Sequence, residues 1–127
     1  MILNEPRFVA VVDDDVSMLN ALRRLLVVHR FEVMTFASAE ELLQGESLDQ
    51  IACVVSDVDL REGMSGLALG EAILARGHET PIIFITALGD AEVRRRALAL
   101  GCLAFFEKPF SPEALVESVA KAITGPR

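Results

Sequence analysis

Apolar runs rich in β-branched and aromatic residues recur at residues 8–12, 31–36, 52–56, 82–86 and 103–106, and each predicts a β-strand. Four of these runs are continuous rather than alternating, the pattern of strands covered on both faces, as in a parallel sheet with helices above and below. The second, Phe-Glu-Val-Met-Thr-Phe, is more polar and suits a sheet edge. Between the runs lie segments of helical period. From Ser17 onward, Met18, Leu19, Leu22, Leu25 and Leu26 form one apolar stripe, with Arg23 and Arg24 off it. Ser38-Ala39-Glu40-Glu41 is a capping box, in which the hydroxyl and the carboxylate three residues on satisfy each other's free amides, and the helix it opens stops near Gly45. A third helix is expected over 66–77 and a fourth over 90–101, while a fifth begins with Ser111 as cap and Pro112 in its first turn. Gly45, Gly77 and Gly101 are the expected left-handed stops of the second, third and fourth helices.

Strict alternation of strand and helix with short joints predicts a doubly wound α/β fold, because right-handed crossovers place helices on both faces of one sheet. The chain has 127 residues, so a single domain over 1–127 is expected, without repeats or an internal linker; Gly125-Pro126-Arg127 has the composition of a linker's start. With 52% hydrophobic and 24% charged residues it can bury a full core, which excludes a disordered chain. Mean hydropathy is high at +0.41. Yet charge-free stretches such as 97–106 fall far short of the roughly 18 apolar residues a membrane span needs. No secretory signal precedes acidic Asp13 to Asp15, so a cytoplasmic location is expected. Net charge is −7, which repels a phosphate backbone and argues against direct nucleic-acid binding. Cys53 and Cys102 lie far apart in apolar segments and read as two buried thiols, and the isolated His29 and His78 read as surface residues.

Ligands of open parallel sheets bind beyond the carboxyl ends of the strands, and the polar residues of this chain fall there. The first strand is followed by Asp13-Asp14-Asp15, the third ends in Ser56-Asp57, the fourth in Thr86-Ala87, and the fifth meets Glu107-Lys108-Pro109. Acids after a strand are commonly turn or helix-start residues, and a lone Thr or Lys says less still. Convergence on one rim carries the signal, because clustered carboxylates repel one another unless a cation joins them. An oxygen-only set with few protein ligands suits magnesium, which keeps several waters and bridges carboxylate to phosphate. With a hydroxyl and an ammonium added, the rim can hold a phosphoryl group.

These residues resemble the receiver domain of response regulators in two-component signalling, over Phe8 to Ile123. The motifs are Val-Val-Asp13-Asp14, Val-Val-Ser-Asp57, Thr86-Ala87 and Lys108-Pro109, four in the right order. Met64-Ser65-Gly66 and Glu107-Lys108-Pro109-Phe110 look most like receivers attached to helix-turn-helix transcription factors. The resemblance implies a five-stranded parallel sheet with five helices in the flavodoxin-like order 2-1-3-4-5. It implies that Asp57 accepts a phosphoryl group from a sensor histidine kinase, with magnesium held by Asp13, Asp14, Asp57 and the backbone carbonyl of Asp59. Thr86 and Lys108 would contact phosphoryl oxygens, and Lys108-Pro109 would be cis. Thr86 and Phe105 would form a switch, with Phe105 filling space that Thr86 vacates and altering the face of helix four, strand five and helix five. Such a domain is a regulated signalling element rather than a turnover enzyme, catalysing only its own phosphotransfer and dephosphorylation.

Two alternatives stay open at this level. Asp57-Val58-Asp59 also resembles the nucleophile motif of haloacid-dehalogenase-type phosphatases, although those enzymes begin with this motif and supply a later acidic pair, whereas here no aspartate follows Asp90. A phosphorylation-independent interaction module is the other. Arg94-Arg95-Arg96 on the fourth helix reads as a solvated face or, opposite Glu113 and Glu117 of the fifth, as half of a homodimer contact. The loop after Asp57 departs from the family run: Arg61 stands where proline is usual, and Gly66 comes one residue late. A more mobile loop is expected. Asp59 is either an exposed loop acid or a modulating group whose charge borders the entrance for the phosphoryl donor.

Overall fold

A computed structural model describes residues 6–45, 48–61, 63–87 and 89–124. Gly125-Pro126-Arg127 lies outside the described residues. In chain order the elements are β1 (Phe8–Val12), α1 (Val16–Val28), β2 (Glu32–Phe36), α2 (Ala39–Gln44), a 3-10 turn (Leu48–Gln50), β3 (Ile51–Asp57), α3 (Gly66–Ala75), β4 (Ile82–Thr86), α4 (Ala91–Ala99), β5 (Ala104–Glu107) and α5 (Pro112–Thr124). The strands pair in parallel in the order β2-β1-β3-β4-β5, the doubly wound arrangement expected from the alternation.

Period-2 side-chain alternation divides the central strands between two cores. Ala10, Val12, Val54, Ile82 and Phe84 pack on one face with Leu42 of α2, Leu69 and Ile73 of α3 and Ala97 of α4. Val9, Val11, Cys53, Val55, Ile83 and Ile85 pack on the other with Leu22 and Leu26 of α1 and Leu115 and Val119 of α5. Both sets are apolar, which is why these strands read as unbroken apolar runs. β2 is half-exposed as its composition suggested, and the short β5 forms the other edge. Phe84, fully buried on β4 against Gly70 of α3, is the kind of side chain whose truncation to Ala costs about 3–5 kcal/mol.

Local signals set most element ends. Asp15 caps α1 by accepting from the amides of Ser17 (3.0 Å) and Met18 (3.4 Å), so this third acid of the triplet serves the helix. Ser38 caps α2 through the Glu41 amide, but the Glu41 carboxylate reaches back to Ala37 rather than Ser38, so the expected capping box closes one residue early. Gly77 and Gly101 take the left-handed conformation at φ +82° and +76°. Gly45 does not: its φ of −77° and ψ of 167° are extended, and α2 ends by running straight out instead of reversing. The left-handed stop of α1 falls on Arg30 (φ 70°), where the Phe31 amide closes onto Leu26 O at 3.1 Å. No glycine marks that position, and an L side chain there costs about 1 kcal/mol.

Cys53 is buried as expected, and burial pushes its thiol up to about 12. Cys102 is only half-buried, because it follows α4 at the edge of the α3-side core instead of sitting within a central strand. His29 is exposed. His78 is half-buried beside Asp49, with Nδ1 3.8 Å from the carboxylate, since the turn after α3 brings it under the 3-10 segment.

Candidate functional site

Every polar group that ends a central strand arrives at one rim because all five strands run the same way. Asp57 is the last residue of β3 and Thr86 the last of β4, while Asp13 and Lys108 come immediately after β1 and β5. The Asp13 amide bonds to Phe36 O at 3.1 Å, the Val58 amide to Ile85 O at 2.8 Å and the Lys108 amide to Thr86 O at 2.9 Å, which extends the sheet pairing past the strand ends. The Lys108-Pro109 bond is cis, as expected. Gly66 lets α3 begin directly against the site: its amide donates to Val58 O at 3.0 Å, and a Cβ there would run into Asp57 O.

Asp57 is 7% exposed and both carboxylate oxygens are engaged: Oδ1 accepts from the Asp59 amide at 2.8 Å, and Oδ2 from Lys108 Nζ at 2.9 Å. Burial alone would pull the Lys108 ammonium down, but its hydrogen bond to Asp57 and the charges of Asp57, Asp13 and Asp15 outweigh that and leave it raised. Asp13 is pushed up to about 6, chiefly by burial; the hydrogen bond from the Asp15 amide opposes the rise and the nearby charge of Asp57 reinforces it. The site therefore gathers carboxylates with too little positive charge to match them.

Asp14 and Asp59 are placed differently from Asp13 and Asp57. The Asp14 carboxylate is partly exposed and its Oδ2 accepts from the Arg61 amide at 2.8 Å, with Arg61 Nε 3.5 Å away. Asp59 is exposed, yet its Oδ2 accepts from the Thr86 hydroxyl at 3.2 Å, so the side chain faces the site instead of solvent alone. Phe105 is half-buried on β5 in register with Phe84, on the same face of the sheet as Thr86, with the Arg94 guanidinium 5.8 Å from its ring centroid.

The loop after Asp57 is tethered at two points. Besides the Arg61 contact with Asp14, the Met64 amide donates to Glu40 Oε2 at 2.7 Å, and Gly63 at φ +76° lies against the same carboxylate. The expectation of a mobile loop rested on the missing proline and did not foresee these anchors. Sequence reading missed Glu40, taken only as a residue of the α2 capping box, and Arg61, noted only as a departure from proline. Glu107, named only as part of the Glu107-Lys108-Pro109 run, has its carboxylate against Gly89, where a Cβ would meet it. Contacts 24 and 47 residues apart in sequence leave no mark in local periodicity.

Among the described residues, no three acidic, histidine or cysteine side chains are arranged to hold a metal ion by themselves. The buried negative charge of Asp13 beside Asp57 has the chemistry to attract a hard divalent cation such as magnesium, which completes its shell with water.

Comparison with known proteins gives one consistent answer. The model of the response regulator receiver domain family matches residues 9–120. The transcriptional regulatory protein TdiR of Thauera aromatica is 37% identical over 115 residues, covering 91% of this chain and 50% of that protein. Nodulation protein W of Bradyrhizobium diazoefficiens is 40% identical over 114 residues, covering 90% of this chain and 50% of that protein. The chain thus spans half the length of these two relatives. Among solved structures, a response regulator receiver protein from Pseudoalteromonas atlantica superposes with a TM-score of 0.87 at 27% identity, covering 94% of this chain and 99% of that one.

Proposed function

The chain belongs to the response regulator receiver domain family, and we propose that it works as a phosphorylation switch in which Asp57 is the phosphoacceptor. The observation that carries this reading is the Asp57 carboxylate, buried at the strand rim and held by Lys108 Nζ at 2.9 Å. An Asp57 oxygen attacks phosphorus, the bond from phosphorus to the histidine nitrogen of a sensor kinase breaks, and the imidazole leaves with its electron pair. The product is an acyl phosphate, which water later cleaves to inorganic phosphate and the original carboxylate. Lys108 pairs with a phosphoryl oxygen, and the Thr86 hydroxyl turns toward another. Asp13, Asp14, Asp57 and the Asp59 carbonyl would hold Mg2+, which supplies charge neutralisation between the carboxylates and the incoming anion.

Thr86 and Phe105 share one face of the sheet, so movement of the hydroxyl toward Asp57 opens space on the side where Phe105 and α4 pack. The face made by α4, β5 and α5 is the output surface in this reading. A homodimer through α4 and α5 is part of the proposal: Arg95 already pairs with Glu92 at 2.7 Å and Arg94 lies over Phe105, which leaves Arg96 to meet Glu113 or Glu117 of a second copy. The net charge of −7 leaves nucleic-acid contact to whatever domain such a receiver controls, and no described helix is long and apolar enough to cross a membrane. We place this switch, a single domain, in the cytoplasm with its kinase.

The test is intact-mass measurement after incubation with acetyl phosphate and Mg2+. One phosphoryl group per chain is expected in the parent and none in Asp57→Asn, because an amide is no nucleophile here. Undiminished labelling of Asp57→Asn would move the site elsewhere, and turnover of a generic phosphate ester would favour a phosphatase.

A further inference from the structure

The Thr86 hydroxyl carries a single proton and can donate one hydrogen bond at a time. In this structure that bond goes to Asp59 Oδ2 at 3.2 Å. Thr86 itself is fully buried at the end of β4, so its hydroxyl has a fixed backbone and a small arc in which to turn. Asp59 is held from below, its amide donating to Asp57 Oδ1 at 2.8 Å, and its side chain projects to the one hydroxyl that a phosphoryl group on Asp57 would need.

We propose that Asp59 is a positioning residue that latches the switch: its carboxylate holds the Thr86 hydroxyl in the resting orientation, and a phosphoryl group on Asp57 must win that hydroxyl away before the output face can change. The inference rests on the phosphoacceptor reading of Asp57 and adds a regulatory part to it. A receiver with an apolar or short side chain at this position presents a hydroxyl with one fewer claimant. Here two negative groups, the Asp59 carboxylate and the phosphoryl oxygens, compete for one donor, so phosphorylation drives the switch only by the difference between two charge-assisted hydrogen bonds.

The latch makes a demand that simple repulsion does not. Asp59 also lies near the incoming anion, and its charge alone would weaken binding of any phosphoryl group. Repulsion acts whether or not Thr86 is present, whereas a latch acts only through the Thr86 hydroxyl. A double-mutant cycle separates the two.

The probe is beryllofluoride with Mg2+, a phosphoryl mimic that binds an acceptor carboxylate. The chain has no tryptophan or tyrosine, so affinity is read by calorimetry or fluorine NMR. Asp59→Ala, which keeps the backbone carbonyl, is expected to tighten beryllofluoride binding about tenfold, the weight of one hydrogen bond to a charged group. Asp59→Asn, which keeps an acceptor oxygen without its charge, should fall between Asp59→Ala and the parent. In a Thr86→Ala background the gain from Asp59→Ala should shrink to about twofold, the remainder due to charge alone. An equal gain in both backgrounds would reduce Asp59 to a repulsive charge and overturn the latch, as would no gain in either. Failure of every variant, parent included, to bind beryllofluoride would overturn the phosphoacceptor reading itself, a result distinct from unchanged affinities among variants that bind.

Discussion

At the carboxyl ends of the strands, Asp13, Asp57 and Thr86 are 2%, 7% and 0% exposed, and their polar atoms are met by Lys108, by backbone amides and by Asp59. At the amino ends, Pro6, Leu48, Ile51, His78 and Pro81 line a cavity of about 410 Å³, where His78 Nδ1 stands 3.8 Å from the Asp49 carboxylate. A large concave pocket and a cluster of buried polar groups usually coincide at a functional site, and in this protein they lie at opposite ends of one sheet. The chemistry decides between them. Burying charge is expensive and is sustained only where partners answer it, so the rim that tolerates buried carboxylates is the more specific feature. A phosphoryl group needs converging charge more than volume.

Disabling each end in turn separates them most strongly. Asp57→Asn should abolish phosphoryl incorporation outright, while His78→Ala at the opposite cavity should leave it at the parental level by intact-mass measurement. Labelling that depended on His78 would erase the distinction between the two ends.

Magnesium gives the next largest effect. A ligand that binds only the folded chain adds about 2.7 kcal/mol at a hundredfold excess over Kd. A thermal melt should therefore rise with Mg2+ in the parent and in His78→Ala, and most of that rise should vanish in Asp14→Ala. Without metal, Asp14→Ala should melt only slightly below the parent, because it loses one hydrogen bond from the Arg61 amide, worth about 1 kcal/mol, and a contact with the 75%-exposed Arg61 side chain worth about 0–1 kcal/mol.

The smallest effect concerns protons. Because burial raises Asp13 from 3.8 to about 6, the folded chain keeps a proton that the unfolded chain has released between those values. Stability contributed by this group is therefore present at low pH and falls as pH rises through that window. In chelator, Asp13→Asn removes the penalty, so the variant should gain on the parent by about 2 kcal/mol between about pH 4 and pH 7. Parallel stability curves across that range would show that Asp13 ionises as freely folded as unfolded.

The strand ends that position the rim were legible in sequence because continuous apolar runs stop abruptly at Asp13 and Thr86, and β1 and β4 begin and end where the runs do. At Phe31 and Leu103 the strand begins one residue later than the run. The halt of α1 at Arg30 was not legible, since its left-handed turn is imposed by packing on a residue with no preference for it. In the site, the residues to watch were legible and their resting partners were not. Asp59 and Thr86 are 27 residues apart, and only the parallel packing of β3 beside β4 brings a loop acid to a strand-end hydroxyl.

The most direct test of the rim as the working end is backbone NMR of the intact chain with and without beryllofluoride and Mg2+. Amide shifts should be largest at Asp57, Asp59, Thr86 and Lys108 and extend to Phe105 and α4, with Leu48, His78 and Thr80 unmoved. Principal shifts around the amino-end cavity, with Asp57 and Thr86 silent, would contradict the account.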